Sequence, residues 1–196
     1  KETRAVSNTA CWIEITDTLR KSSDFSLDFK HENANDAIVP EMTKVKNLAF
    51  LVYYATCKML LAIYLEKFEE ALVFSKMFLK YLEGAAGQIT VVYQCYLESL
   101  AYLGLIRRGK NKSSYLGKLK KNQKNLATWA SIAPQNFQFF SIIIEAEIVS
   151  LTENSSYAIT LYEQAIQSAL TYENLPNQAI GYELFGLYFL KKNGLE

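Results

Sequence analysis

Apolar and polar side chains alternate with a helical period along most of the chain. The clearest stretch runs from Phe68 to Glu83, where apolar residues recur every three or four positions and charged residues fill the other side. This spacing places the apolar side chains on one face of an α-helix. Gly84 follows and is predicted to end the helix, because glycine adopts the left-handed cap conformation at small steric cost. The stripe consists of Ala71, Phe74, Ser75, Phe78, Leu79 and Leu82.

The same stripe returns further along the chain. Its six positions match those of the first stripe one for one, and Asn154 and Ser155 precede it as candidate N-caps. Small alanines between bulky side chains allow two helices to approach closely, which favours packing of helix on helix. The second stripe consists of Ala158, Leu161, Tyr162, Ala165, Ile166 and Ala169.

Five further helices are predicted around these two. The first helices of successive pairs start about 40 to 47 residues apart, a period typical of helical solenoids. The sequence therefore predicts an all-α fold, a tetratricopeptide-like α-solenoid of stacked antiparallel helix pairs with about seven to nine helices. The further helices are predicted at Lys44 to Leu65, Gln88 to Arg107, Ser113 to Ser131, Gln135 to Leu151 and Asn177 to Lys191.

The sequence divides into three parts. Residues 1–43 are predicted to hold a short helix, Cys11 to Leu19, and a polar, acidic connector, Ser22 to Pro40, packed on the repeats. Residues 44–194 form the tetratricopeptide-like repeats, and residues 195–196 are interpreted as a vector remnant. The chain begins on Lys1 without an initiator methionine, so we expect a piece of a larger protein.

The run from Leu48 to Leu65 is almost wholly apolar and has nearly the length of a membrane span. Lys58 lies in its middle, where a charge is expensive in lipid, and charged residues follow directly. A soluble helix covered on two sides is the better interpretation, and the protein is expected to be cytoplasmic.

Few residues offer catalytic chemistry. His31 is the single histidine, and it lies in the polar connector, where a solvated side chain is the simpler interpretation. Glu145 and Glu147 lie two positions apart on a helix and therefore point in different directions. The sequence predicts no enzymatic activity, no cofactor and no metal site. Three scattered cysteines, Cys11, Cys57 and Cys95, are interpreted as buried, reduced thiols.

A net charge of +1 hides a polarised distribution. Eight basic residues fall in one stretch that contains no acidic residue, and this stretch is the candidate interaction surface. It could dock on an acidic protein or on nucleic acid. The alternative is a solvated outer helix face, with Leu116, Leu119, Leu126 and Trp129 on the inner side. The basic residues are Arg107, Arg108, Lys110, Lys112, Lys118, Lys120, Lys121 and Lys124.

Several short motifs are similar to those of a known family. The chain resembles the tetratricopeptide-like helical region of very large multidomain signalling kinases; the resemblance covers most of the chain and includes the run from Asn136 to Gly194. Gly181 and Phe185-Gly186 depart from it, since the family tends to have alanines there. The matching motifs are Asn122-Gln123, Leu126, Trp129-Ala130, Pro134 to Phe137, Glu145-Ala146-Glu147, Tyr162-Glu163, Ala165-Ile166, Glu183-Leu184 and Tyr188-Phe189-Leu190.

In that family a serine/threonine-kinase-like domain and a STAND-type ATPase precede the helical region, and a GAF domain and a histidine kinase follow. The resemblance implies a non-catalytic protein-interaction or regulatory-sensor module, with a protein, a peptide or a neighbouring domain as partner. A solenoid that binds a small-molecule inducer, as in related ATPase regulators, is the first alternative. Nucleic-acid binding through Arg107 to Lys124 is the second.

Overall fold

A computed structural model describes residues 38–152 and 156–194, together with Ile13, Thr16 and Arg20. Over these residues the chain forms eight α-helices and one 3-10 helix, and it contains no strand. The all-α prediction is confirmed. The helices are α1 Ile38–Lys44, α2 Leu48–Tyr64, α3 Phe68–Lys80, α4 Thr90–Arg107, α5 Lys112–Ile132, α6 Pro134–Thr152, α7 Tyr157–Thr171 and α8 Leu175–Lys192, with the 3-10 helix at Leu82–Ala85.

The helices belong to two compact units, and the division falls after Gly104, within α4. In the first unit α2 packs along α3 and also contacts α1 and the 3-10 helix. In the second unit α5 packs along α6, α6 along α7, and α7 along α8, while α8 also reaches α6. Because short turns join these neighbours, packed helices run antiparallel. The predicted stacking of consecutive helices is therefore confirmed within each unit.

The repeat period agrees with the sequence pattern. Helices α2, α4, α6 and α8 begin at Leu48, Thr90, Pro134 and Leu175, so successive starts stay about 40 to 47 residues apart. One predicted helix is divided, however. The segment from Lys44 to Leu65 contains the end of α1 and, after a turn, the whole of α2.

The same turn ends four of the helices. A residue with positive φ follows the helix, and the next backbone N–H donates to a carbonyl five residues back, as in a Schellman motif. Examples are Lys67 N to Ala62 O at 2.7 Å and Asn174 N to Ala169 O at 2.9 Å. The left-handed residue is glycine once and a charged residue three times: Gly109, Lys46, Glu66 and Glu173.

Gly84 has a role other than the one predicted from its position. Helix α3 ends at Lys80, four residues earlier, so Gly84 lies inside the 3-10 helix and does not cap α3. A Cβ on Gly84 would lie 2.4 Å from the backbone carbonyl of Leu48. The glycine is therefore required because the 3-10 helix approaches the backbone at the start of α2 closely.

The two matching stripes differ in burial. All six residues of the later stripe are buried on α7. In the earlier stripe Leu79 is 49% exposed and Leu82 is 43% exposed. The prediction that these two leucines face the core is wrong. Leu82 leaves the stripe because α3 ends before it, and Leu79 lies in the last turn of α3.

Helix α2 carries the long apolar run. Lys58 is 5% exposed, and its Nζ lies 5.5 Å from the centre of the Tyr54 ring. Cys57, on the same helix, and Cys95, on α4, are buried thiols. Within the described residues no helix combines the length and the apolar character needed to cross a bilayer.

Several predictions concern residues outside the described ranges. Among them are Cys11, His31, the candidate caps Asn154 and Ser155, and residues 195–196. The predicted helix from Cys11 to Leu19 is described only at Ile13 and Thr16, where the Thr16 hydroxyl donates to the Ile13 carbonyl. The predicted connector is corrected at its end, since Ile38 to Pro40 form the first turn of α1.

Candidate functional site

An open cleft of about 410 Å³ lies in the second unit. The C-terminal halves of α6 and α8 form most of its wall, α7 contributes one tyrosine, and the last residue of α4 contributes an arginine. Its volume is within the range of small-molecule pockets. The lining residues are Arg107, Glu147, Ser150, Leu151, Thr152, Tyr162, Leu187, Tyr188, Lys191 and Lys192.

A buried carboxylate forms the floor of this cleft. Glu147 lies on α6 and is 1% exposed. Its Oε1 accepts a hydrogen bond from the Tyr162 hydroxyl at 2.8 Å, and its Oε2 accepts one from Nη2 of Arg107 at 2.5 Å. Both oxygens therefore have partners, as a buried carboxylate requires. The guanidinium supplies the opposite charge, and the Arg107 side chain remains 30% exposed.

Burial dominates the protonation of this cluster. Loss of hydration raises the pKa of Glu147, and the positive charge of Arg107 is the largest effect opposing that rise. The Tyr162 hydrogen bond and the charge of Lys191 also oppose it. Burial, reinforced by the negative charge of Glu147, raises the pKa of Tyr162 as well, so its hydroxyl keeps its proton and acts as a donor.

Aromatic packing holds Tyr162 in place. Its ring stacks on Phe185 with centres 5.0 Å apart, and it lies 5.4 Å from the ring of Tyr188. Phe185 in turn contacts Phe189 at 4.7 Å. These contacts join α7 to α8, and they fix the direction in which the Tyr162 hydroxyl points.

Two lysines complete the cleft. Lys191 and Lys192 occupy the last turn of α8, and Lys192 Nζ lies 5.7 Å from the centre of the Tyr188 ring. With Arg107 they give three cationic side chains against one carboxylate among the described residues that line the cleft. Arg107 and Tyr162 occupy the two oxygens of Glu147, so with Lys191 and Lys192 the lining carries a net positive charge.

The basic residues singled out in the sequence have different surroundings within the second unit. Arg107 enters the cleft, and Lys112 donates from Nζ to the carbonyl of Leu151 at 2.8 Å. Lys118 Nζ lies 5.7 Å from the ring centre of Tyr115. Arg108 and Lys110 are exposed around the turn between α4 and α5. Lys120, Lys121 and Lys124 are exposed on α5, whose opposite face buries Leu119 and Leu126.

Sequence reasoning missed most of the cleft. It separated Glu145 from Glu147 correctly, since Glu145 accepts from Gln123 on α5 at 3.4 Å while Glu147 bonds Arg107 and Tyr162. It did not single out Glu147, Lys191 or Lys192 as a site. One signal was present: Glu147 shares a helix face with Ile143 and Ile144, and an acid on an apolar face needs a partner.

A second groove of about 250 Å³ lies between α6 and α7. Its polar lining consists of neutral amides and hydroxyls, including Gln138, Gln164 and Gln167. It therefore differs in charge from the cleft around Glu147. Among the described residues no cluster of three or more potential metal ligands occurs in either place.

No known family model, curated protein or solved structure matches this chain. The geometry of its own residues therefore carries the functional interpretation.

Proposed function

We propose that this chain is a non-catalytic binding module, a helical-repeat arm that recognises a ligand and transmits its presence within a multidomain signalling kinase. The observation that carries the proposal is the cleft of the second unit, where the partly exposed Arg107 is held by the buried Glu147 and Tyr162. A polar cluster held this firmly at the floor of an open cavity gives a ligand fixed groups to recognise.

The state of the cluster supports binding over catalysis. A general base needs a carboxylate oxygen within reach of substrate, whereas each oxygen of Glu147 already accepts a hydrogen bond. Tyr162 keeps its proton because its pKa is raised. These groups therefore serve to position Arg107, and the cleft offers recognition rather than proton transfer.

The proposed partner is a segment of another protein or of a neighbouring domain in the same cytoplasmic chain. A small-molecule effector is the second candidate, favoured by a cleft volume of about 410 Å³, which suits a compact ligand. Nucleic acid is a weaker candidate, because the basic stretch is divided between the cleft, a helix end and the outer face of α5.

Ligand-induced thermal stabilisation tests the proposal. The purified chain is screened against short peptides and metabolites, because a ligand that binds only the folded state raises the unfolding temperature. Hits are repeated with Leu187→Glu, which alters the cleft wall, and with Leu190→Glu on the same helix as the matched control. These two leucines are 37% and 44% exposed. We expect Leu187→Glu alone to abolish stabilisation. A panel without hits, or hits indifferent to both variants, would contradict the proposal.

A further inference from the structure

We propose that the cleft binds an anionic group, a carboxylate or a phosphate, held between Lys191, Lys192 and Arg107. This inference rests on the proposed function, since it names the ligand class of the same cleft. It follows from the charges that line the cavity, from the saturated state of Glu147 and from the exposure of the cationic side chains.

The lining of the cleft carries more positive than negative charge. Arg107, Lys191 and Lys192 line the cleft together with a single carboxylate, Glu147. With Glu147 ionised the lining carries an excess of two positive charges, and with Glu147 protonated the excess is three. A concave, cationic surface concentrates anions because its walls limit hydration and screening.

The hydrogen bonds of Glu147 leave donors of Arg107 available to a ligand. Its two oxygens are occupied by Tyr162 and Arg107 on the floor of the cleft. A guanidinium has five N–H donors, and Glu147 engages Nη2 of Arg107. The carboxylate thereby holds Arg107 in position while further donors of the guanidinium remain for a ligand. Lys191 and Lys192 are exposed and can approach the same ligand from α8.

Helix-dipole stabilisation gives these lysines another role. Cations in the last turn of a helix stabilise its C-terminal carbonyls, and Lys191 and Lys192 lie in the last turn of α8. That role predicts a loss of stability without any loss of ligand binding. The two roles can therefore be separated by measuring binding directly.

Inorganic phosphate and succinate are titrated separately into the ¹⁵N-labelled full chain at low ionic strength, with succinamide as the uncharged analogue. We expect amide shifts around Ser150, Thr152 and Lys191 with the anions and none with succinamide. Whichever of the two anions binds more tightly identifies phosphate or carboxylate as the preferred group. Added salt weakens both, as expected for a charge-driven contact.

Two double variants provide the matched comparison. Lys191→Gln/Lys192→Gln removes the cleft lysines, and Lys120→Gln/Lys121→Gln removes the same charge from the exposed face of α5. We expect the first to weaken anion binding by about tenfold and the second to leave it nearly unchanged. Lys191→Arg/Lys192→Arg should restore binding. Equal weakening in both Gln variants would overturn the inference.

The remaining outcomes separate the inference from the proposed function. Succinamide binding as tightly as succinate, lost in Leu187→Glu but unaffected by the lysine variants, would refute an anion site and leave a ligand-binding cleft. Absence of shifts with both anions would refute the anion site. The peptide and metabolite screen would then decide whether the cleft binds any ligand.

Discussion

Ser75 and Tyr162 occupy equivalent positions of the two matching stripes, but they organise different polar clusters. Ser75 lies on α3 in the first unit, accepts a hydrogen bond from Gln94 at 3.0 Å and donates to Glu98 at 2.6 Å, both on α4. Tyr162 lies on α7 in the second unit and donates instead to Glu147 on the preceding helix, α6.

The difference follows from side-chain size. A serine reaches only a partner in direct contact, and its cluster centres on a neutral hydroxyl and leaves Glu98 half-buried. A tyrosine extends its hydroxyl past its own ring and meets a carboxylate that is 1% exposed. That carboxylate then requires Arg107, and the resulting cluster opens to a cleft. The same position of a repeat can thus organise a neutral polar cluster in one unit and a charged cluster beside a cleft in the other.

Removal of Arg107 should have the largest effect on stability. Arg107→Met leaves Glu147 buried without its counter-ion, which is expected to lower the free energy of unfolding by about 3 kcal/mol. Urea denaturation at neutral pH measures this change. Lys121→Met, at an exposed position of α5, is the control and should stay within about 0.5 kcal/mol of the parent. Similar losses in both variants would show that the ion pair of Arg107 with Glu147 does not account for the loss of stability.

The pH dependence of stability should arise mainly from Glu147 in the second unit. Burial raises the pKa of Glu147, so between its ordinary and its raised pKa the folded state binds more protons than the unfolded state. The free energy of unfolding therefore falls as pH rises through this window. Glu147→Gln should flatten the profile, and Arg107→Met should steepen it. Denaturation curves across the window test this, and an unchanged profile in Glu147→Gln would contradict it.

At Gly84 in the first unit, a close backbone contact rather than a charge should determine how much a substitution lowers stability. Gly84→Ala places a Cβ 2.4 Å from the backbone of Leu48, and we expect a loss of about 2 kcal/mol that does not depend on pH. Gly117, on α5, has nothing within 4 Å of an added Cβ. Gly117→Ala should therefore raise stability by about 0.5–1 kcal/mol. Thermal unfolding of the two variants should show shifts of opposite sign.

Substitution of the two equivalent residues compares the clusters directly. Tyr162→Phe leaves an oxygen of a buried carboxylate unsatisfied and should lower stability by about 2 kcal/mol. Ser75→Ala removes a hydroxyl whose partners are the neutral, buried Gln94 and the half-buried Glu98. Because neither partner is a fully buried charge, a smaller loss of about 1 kcal/mol is expected. Chemical denaturation ranks the two. A larger loss in Ser75→Ala would reverse the comparison.

The smallest expected effect is common to both units. Lys46 and Glu173 hold left-handed conformations with φ of 54° and 53° at the ends of α1 and α7. Replacement of either by glycine should raise stability by about 0.5 kcal/mol, because glycine adopts this conformation without Cβ strain. Glu69→Gly, in the first turn of α3, should destabilise instead. A gain in only one unit would indicate that the two turns are not equivalent.

The interpretation of the chain as part of a signalling kinase stays a prediction. It rests on motifs such as Glu145-Ala146-Glu147 and Trp129-Ala130 in the sequence. The structure gives these residues definite places, for example Glu147 beneath the cleft.

The sequence by itself determined the helices and their period. The spacing of apolar side chains within one helix is a local property, so the predicted stretch from Ser113 to Ser131 differs from α5 by only one residue at each end. Turn positions were predicted less well, since Gly84 does not end α3 and three of the four left-handed residues that end helices are not glycine.

Only the tertiary structure decided which side chains meet. Arg107 and Glu147 are 40 positions apart in the chain, and their pairing depends on how helices of the second unit pack. Gly84 is required by the backbone of Leu48, which a local pattern cannot reveal. The periodicity of a sequence indicates which face of a helix is buried. A site also depends on which face of another helix lies against the first one. Contacts between residues distant in sequence decide this second point.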